Sequence, residues 1–355
     1  YVANIGILAA MGTGIQLSFL GSLIPIFIFF ICEIFIFKKI IYTNFDKKRF
    51  LYDLLKCFLI FYILLVLFWV DTHSNIFVLP FEILMKTLSA DFYTGIPFNL
   101  INENYYYSTE IPKLYLFINF IYKSPEYFLI TYILFAFLFI NSKDFFINKF
   151  ELFNYKLLLL ILILLYPNLI LFFVPYPIYD GMRLFLWTLP YFCLIPGLTI
   201  YYLIDNLKFL KVKIIFVLLC LCFFYFFINF LIITPYQYTY LNIFNGKKEN
   251  RYQKFENDYW SVSLKELINK SNLDFNKTIK FATCGAPAKT AKYYLKKKGN
   301  HNFKFVSAND ASYMIMTNRV TWNGNFITCF DNFKGTNISK VERNNLILSV
   351  IRKID

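Results

Sequence analysis

A chain that reads "LLLLILILLYPNLILFFV" from Leu157 to Val174 and "IIFVLLCLCFFYFFINFLII" from Ile214 to Ile233 has few ways to fold. Each run is apolar all round a helix, and crossing the hydrocarbon core of a bilayer takes about 20 such residues. In lipid every backbone N–H and C=O must be satisfied within the chain, so runs of this length are read as spanning helices. Further runs lie at Val2 to about Ile15, Ser18–Phe37, Leu54–Val70, Glu126–Ile140 and Leu184–Ile204, with Gly12, Gly14, Gln16 and Gly21 interrupting the first two. About six to seven spans are expected, forming an α-helical integral membrane bundle over residues 1–233. Composition agrees: 16% of residues are charged, against about 25% in a soluble domain, and 58% are hydrophobic.

The formal net charge of +14 would suit nucleic acid, but the basic residues are placed otherwise. Lys38, Lys39, Lys47, Lys48 and Arg49 follow the second run. Lys143, Lys149 and Lys156, then Lys208, Lys211 and Lys213, fill two later connections. Alternation puts these three loops on one side, which their positive charge marks as cytoplasmic. The other side receives residues 71–125, Pro175–Arg183 and everything after Thr234. Its first loop carries Asp71, Glu82, Asp91, Glu103 and Glu110. Lysines in the tail would be drawn to anionic head groups. The expectation is a multi-pass protein of a bacterial inner (cytoplasmic) membrane, with its C-terminal domain extracytoplasmic, membrane lipids as partners and no nucleic acid.

Within the outer loop, Pro80–Ser89 and Pro112–Tyr122 are predicted to be amphipathic helices at the interface, with "NENYYYSTEIP" between them a turn bearing aromatic anchors. After Thr234, Ser263 and Glu266 give a capping-box signature. "TIKFATC", "NFKFVS", "SYMIMTN", "NFITCF" and "LILSVIRKI" predict strands, and "APAKTAKYYLKKKG" a helix ending before Gly299. This order predicts a small C-terminal α/β soluble domain over 234–355. The seven cysteines form no metal-like spacing. Cys284 and Cys329 in the tail admit two readings, a disulfide if the tail is outside the cytoplasm or two separate thiols in strands. With only His73 and His301 besides, neither a metal nor a cofactor is implied. The chain opens at Tyr1 inside an apolar pattern, so an N-terminal part is expected upstream.

Three places could carry chemistry. In "PYPIYDGMR" a short outer loop keeps Asp180 and Arg183 at head-group depth, where a guanidinium binds two phosphate oxygens. The alternative is an arginine snorkelling to the interface beside a turn aspartate. In the stretch from Thr234 to Trp260, Tyr236, Tyr238, Tyr240 and Phe244 fit an aromatic belt. Gln237, Glu256, Asp258, Tyr259 and Trp260 add the aromatic faces and acceptors that sugars need, beyond anchoring. Asp71, with His73 just past a span, is a general-base candidate or a helix-end cap. Lys292, Lys296, Lys297 and Lys298 form a solvated face or one touching anionic lipid. Glu33 is the main charge inside the runs, and one glutamate near a helix end does not make the ion pathway of a secondary transporter.

Several segments together resemble bacterial membrane glycosyltransferases of the GT-C type, relatives of protein O-mannosyltransferases and aminoarabinose transferases. They are "NIGILAAMGTGIQLSFLGSLIPIF", "LFWVDTHSNIFVLPFEIL", "PKLYLFINFIYKSPEYFLI", "IYDGMRLFLWTLPYFCLIPG", "TPYQYTYLNIFNG" with "KFENDYW", and "NLILSVIRKI", in the family's order over most of the chain. Two positions depart from the pattern: Leu184 where the family often has histidine, and Val70 where it has proline. The resemblance implies inverting transfer of a sugar from a polyprenyl-phosphate donor to a glycan, lipid or protein acceptor on the outer face, with no metal required. It implies Arg183 as the donor-phosphate ligand, and Asp180, Gln237, Glu256, Asp258, Tyr259 and Trp260 around the sugar or acceptor. The family's acidic catalytic residue lies in the first outer loop, which would precede Tyr1. A non-enzymatic lipid-oligosaccharide flippase or envelope assembly subunit is the alternative; a flippase would need polar residues through the full membrane depth, whereas here they gather at one surface.

Overall fold

The computed structural model describes residues 1–15, 19–38, 46–87, 98–173 and 177–354. In chain order the helices are α1 (Val2–Ile15), α2 (Phe19–Cys32), α3 (Lys47–Phe68) and α4 (Leu79–Thr87). The hairpin β1 (Phe98–Ile101) and β2 (Asn104–Tyr107) follows. Then come α5 (Tyr115–Lys123), α6 (Glu126–Asn141), α7 (Lys143–Lys149), α8 (Phe153–Phe173), α9 (Leu189–Asp205) and α10 (Leu210–Ile233). The C-terminal part holds α11 (Leu264–Lys270), β3 (Ile279–Cys284), α12 (Ala288–Lys297), β4 (Phe303–Phe305), β5 (Tyr313–Thr317), β6 (Val320–Trp322), β7 (Phe326–Thr328), α13 (Cys329–Asn332), β8 (Gly335–Arg343) and β9 (Leu346–Ile354).

Among the described residues five helices are long and apolar enough to cross a membrane: Phe19–Phe37, Lys48–Phe68, Phe153–Phe173, Arg183–Asp205 and Leu210–Ile233. A sixth follows if α5 and α6, bent by 113° at their junction, count as one. The protein is thus mostly helical and its composition is that of a multi-pass membrane protein. The first expected run, Val2 to about Ile15, forms α1 with the bounds expected. With 14 residues, α1 is about 21 Å long, against a hydrocarbon core of about 30 Å. The start of the expected second span, Ser18, the end of the fifth, Val174, and the last two residues of Pro80–Ser89 lie outside the described residues; the rest of that stretch falls in α4.

The chain groups into two compact units. One comprises Tyr1–Gly95, Leu134–Ile178 and Met182–Thr199; the other comprises Ile96–Ile133, Tyr179–Gly181 and Ile200–Asp355. Within the first, α1 approaches α3 at Gly6, where a Cβ would stand 2.8 Å from the Cys57 carbonyl oxygen. Past Cys32 the helix loosens into a π turn, Glu33–Phe37, that stops at Lys38 in the left-handed conformation. Glu33 is buried there and accepts a hydrogen bond from the Tyr155 hydroxyl, so this carboxylate within an apolar helix has a polar partner.

In the second unit a five-stranded sheet has the order β4-β3-β5-β9-β8. β3 runs parallel to β4 and β5, while β9 is antiparallel to both β5 and β8. Helices α11 and α12 bury Leu264, Leu267, Ile268, Ala291 and Leu295 against Phe281, Ile315 and Ile351 on one face. Ala282, Met314, Met316 and Val350 face the other way, against Cys329 and Phe330 of α13. A bulge in β9 at Leu348, between the pairs Val341–Ser349 and Glu342–Ile347, lets Leu348 and Ile351 share a face despite odd spacing.

Three local expectations change. "NENYYYSTEIP" supplies a strand, not only a turn: Asn102 and Glu103, both at positive φ, join β1 to β2 as a tight hairpin. "NFITCF" is a strand only to Thr328, whose hydroxyl caps α13 by accepting from the Asp331 amide. The capping box at Ser263 and Glu266 does not form, because Ser263 gives its hydroxyl to Asp258 while Glu266 pairs with Lys270 and Arg343.

Candidate functional site

The stretch after α10 is held by tyrosines that alternate along the chain and donate to three different carboxylates. The Tyr236 hydroxyl lies 2.7 Å from Glu266 and that of Tyr240 2.6 Å from Glu126, and Tyr238 donates to Asp258. Burial, reinforced by these carboxylates, raises all three phenols above the ordinary tyrosine value, so each is a fixed donor at any physiological pH. Glu126 also accepts the Ile243 amide at 3.0 Å. Asn242 and Asn245 bond carbonyls at the end of α5 and just after it, Asn242 those of Ile121 and Ser124 and Asn245 that of Tyr122.

Asp258 is fully enclosed. Its two oxygens accept from the Val262 and Ser263 amides at 2.8 and 3.0 Å and from the Ser263 and Tyr238 hydroxyls. Burial raises its pKa and those hydrogen bonds oppose the rise. It organises the turn that carries Tyr259 and Trp260. Trp260 is half exposed and packs on Tyr238 and Tyr259 with ring centroids 5.5 and 5.4 Å apart, so an open indole face rests on a fixed aromatic base. Gln237 makes a local bond, 2.8 Å to the Thr234 hydroxyl.

Asp180 and Glu256 meet at Arg319. One guanidinium nitrogen, Nη1, lies 3.0 Å from Asp180 and 3.1 Å from Glu256, and Nη2 donates to the Tyr259 carbonyl at 2.9 Å. The Tyr259 ring sits 5.7 Å from the guanidinium carbon, and Glu256 also accepts the Val320 amide at 2.8 Å. All three charged side chains are buried. For Glu256, burial outweighs the opposing pull of Arg319 and leaves its pKa raised.

The backbone is shaped to this cluster. Asp180 and Gly181 are both left-handed, with φ of 58° and 67°, and the Tyr115 hydroxyl donates to the Gly181 carbonyl at 3.1 Å. A Cβ on Gly181 would stand 3.0 Å from the Lys123 ammonium, which lies over the Phe255 ring. Gly285, at φ 70°, leaves the space that Arg319 fills, since a Cβ there would be 2.7 Å from the Arg319 Cβ. Next to Gly285, Cys284 forms a disulfide with Cys329, whose amide donates to the Arg319 carbonyl at 2.8 Å. Between Tyr115, Asn119, Lys123, Asp180, Glu256 and Tyr259 there is a cavity of about 10 Å³, room for a single water-sized group and too small for a sugar.

Arg183 is exposed at the start of the Arg183–Thr188 turn, in the first unit. Asp71 is exposed in the Val70–Thr72 turn of the same unit, and His73 contacts the Val66 carbonyl. The remaining candidates, Asp180, Gln237, Glu256, Asp258, Tyr259 and Trp260, belong to the second unit. Arg319 and Lys123 escape sequence reasoning: Arg319 lies 139 and 63 residues from its partners. The usable signal was that two acidic residues in buried, aromatic-rich segments require a cation. No family model, curated protein or solved structure matches the chain.

Proposed function

We propose that this protein is a membrane glycosyltransferase that moves a sugar from a polyprenyl-phosphate donor to an acceptor hydroxyl at the non-cytoplasmic face of a bacterial inner membrane. One observation carries the reading. The three segments that resemble the transferase family, "PKLYLFINFIYK", "IYDGMR" and "KFENDYW", meet here: Asp180, Glu256 and Tyr259 bond Arg319, and Lys123 lines the small cavity beside Asp180 and Glu256. That segments far apart in sequence share a neutralised, glycine-shaped cluster supports a common site.

In this scheme Arg183 binds the donor phosphate and stabilises the charge that develops as the sugar–phosphate bond breaks. A carboxylate takes the proton of the attacking hydroxyl, and attack on the anomeric carbon inverts its configuration. Asp180 and Glu256 act through Arg319 as positioning residues, setting the Tyr259–Trp260 ledge on which a sugar face would stack. Asp258 fixes the turn beneath that ledge, and Gln237 stands on the neck. The disulfide Cys284–Cys329 supports an extracytoplasmic C-terminal domain, because disulfides persist in oxidising compartments.

The test is transfer from a radiolabelled polyprenyl-phosphate sugar by membranes carrying the protein, compared with Arg183→Ala and Trp260→Ala. Arg183→Ala is expected to lower turnover by about a hundredfold or more, the scale of losing one charge-stabilising donor. Trp260→Ala is expected to act mainly on the KM for the sugar. Unchanged turnover in Arg183→Ala removes that residue from the mechanism, and absence of transfer by the wild type from every donor offered removes the function.

A further inference from the structure

A second recess lies elsewhere in the same unit, on the far side of the segment that carries Glu256. Gln253 and Lys254 wall this open groove of about 470 Å³, while Phe255 and Glu256 wall the small buried cavity. The volume falls within the range of about 300–1,000 Å³ typical of ligand sites.

Its chemistry is specific. The exposed Asn250 and Gln253 offer amides, groups that donate and accept at once, while the Asn245 NH2 is already bonded to Tyr122 and Asn242. Glu103 and Asp331 are matched by Lys247 and Lys254, so the four formal charges cancel; Lys254 bonds Glu103 at 3.1 Å. A phosphate or a carboxylate ligand would meet as much negative as positive charge. A ligand with many hydroxyls and no charge would find a partner at each position. The half-buried ring of Tyr105 adds a flat surface for the CH face of such a ligand.

The groove is also rigidly framed. Gly246 sits at φ 74° and ψ −149°, a region open only to glycine, and its carbonyl accepts two bonds from the buried Arg251, at 3.2 and 3.1 Å. Arg251 also donates to Leu241 at 2.6 Å. Opposite, the Glu103 amide donates to the Lys254 carbonyl at 3.2 Å, and Ile101 pairs with Phe255, which locks the β1–β2 hairpin to the wall. At the base, Asn245 is fully buried with its Oδ1 lacking a hydrogen-bond partner among the described residues. Such an acceptor is costly while it stays unmatched, and a sugar hydroxyl reaching it with a small shift of the amide would supply the donor.

We infer that this groove binds an uncharged sugar ring, as the recognition site for the glycan part of the acceptor. The word acceptor rests on the transferase reading; the binding of a sugar ring does not. The full chain in detergent is examined by saturation-transfer difference NMR with glucose, galactose, mannose and N-acetylglucosamine, each alone. At least one is expected to give a saturable signal, and Asn250→Trp, which fills the groove from an exposed position, is expected to weaken it at least tenfold, an order set by roughly one lost pair of hydrogen bonds. Gln253→Ala, which only trims an exposed amide, is expected to weaken it about threefold and decides the matter if the tryptophan variant melts early. No saturable signal from any of the four sugars overturns the inference, as does binding unaffected in a well-folded Asn250→Trp or in Gln253→Ala. Sugar binding by a protein that transfers nothing from a polyprenyl-phosphate donor leaves the groove standing and sinks the transferase; transfer without sugar binding does the reverse.

Discussion

Replacing Arg319 by methionine is the sharpest probe of the C-terminal unit. The substitution keeps most of the side-chain volume and deletes the cation shared by Asp180 and Glu256, along with the bond to the Tyr259 carbonyl. Removing one partner from a buried ion pair costs about 3–5 kcal/mol, chiefly because the remaining charge has been stripped of water. In a unit of this size each kcal/mol moves the melting temperature by about 2–4 °C, so Arg319→Met is expected to melt roughly 6–20 °C earlier. Melting can be followed by tryptophan fluorescence, since Trp260 and Trp322 lie in this unit and Trp69 and Trp187 in the other. The sign of the pH dependence is fixed as well. Burial raises the Glu256 pKa above its ordinary 4.5, so its contribution favours folding below that value and is lost as pH rises through the folded pKa. Deleting the guanidinium raises that pKa further. The penalty of Arg319→Met is therefore expected to be largest at neutral pH and to shrink on acidification, and Glu256→Gln added to it should recover part of the loss. A melting temperature within about 2 °C of wild type at neutral pH, or a penalty that does not change with pH, refutes the idea that Arg319 neutralises two buried carboxylates.

Three further outcomes are expected. Asp258→Asn turns one acceptor oxygen into a donor facing N–H and O–H groups, and should cost about 2–4 kcal/mol by the same melting assay; a neutral result would mean the turn is held otherwise. Burial alone would raise Glu266, but hydrogen bonds from Arg343, Lys270 and Tyr236 hold its pKa at about 2. Glu266→Gln should then cost about 1 kcal/mol at neutral pH once solvent screening is allowed for, a difference present above about pH 4.5 and lost as pH falls through about 2; a cost constant down to that pH would contradict the pairing. Reducing Cys284–Cys329, which closes a loop of 45 residues, should destabilise the C-terminal unit by about 4 kcal/mol, read as a melting difference with and without dithiothreitol; coincident curves would show that the two sulfurs are not joined in the protein as isolated.

What the sequence discloses follows from the range of each interaction. Spans such as Leu210–Ile233 are legible because hydropathy is a local sum, and β3, α12 and β9 because their periodicities are local too. Strand β8 is not, since an edge strand whose first residues, "GTNISK", face water carries none of the alternation a strand is recognised by. The β6–β7 hairpin did leave a mark in Asn323, Gly324 and Asn325, the three-residue turn between its strands, which a reading fixed on apolar runs passes over. The site divides in the same way. Asp180, Glu256, Tyr259 and Trp260 stand out from their neighbours as chemistry in aromatic surroundings. That Asp180 and Glu256 share one arginine, and that segments 96–133 and 179–181 group with the C-terminal sheet, depends on contacts spanning many tens of residues.

Strand β9 follows every other strand of its sheet in the sequence yet lies between two of them, β5 and β8. The sheet therefore cannot zip up in the order in which it is synthesised. Until β9 inserts, β5 presents a row of unpaired amides and carbonyls along one flank and β8 has no neighbour at all, so the nascent domain stays open to foreign strands until this inner strand arrives. Folding helpers that guard exposed edges, in whichever compartment the domain emerges, would have their greatest effect in that interval.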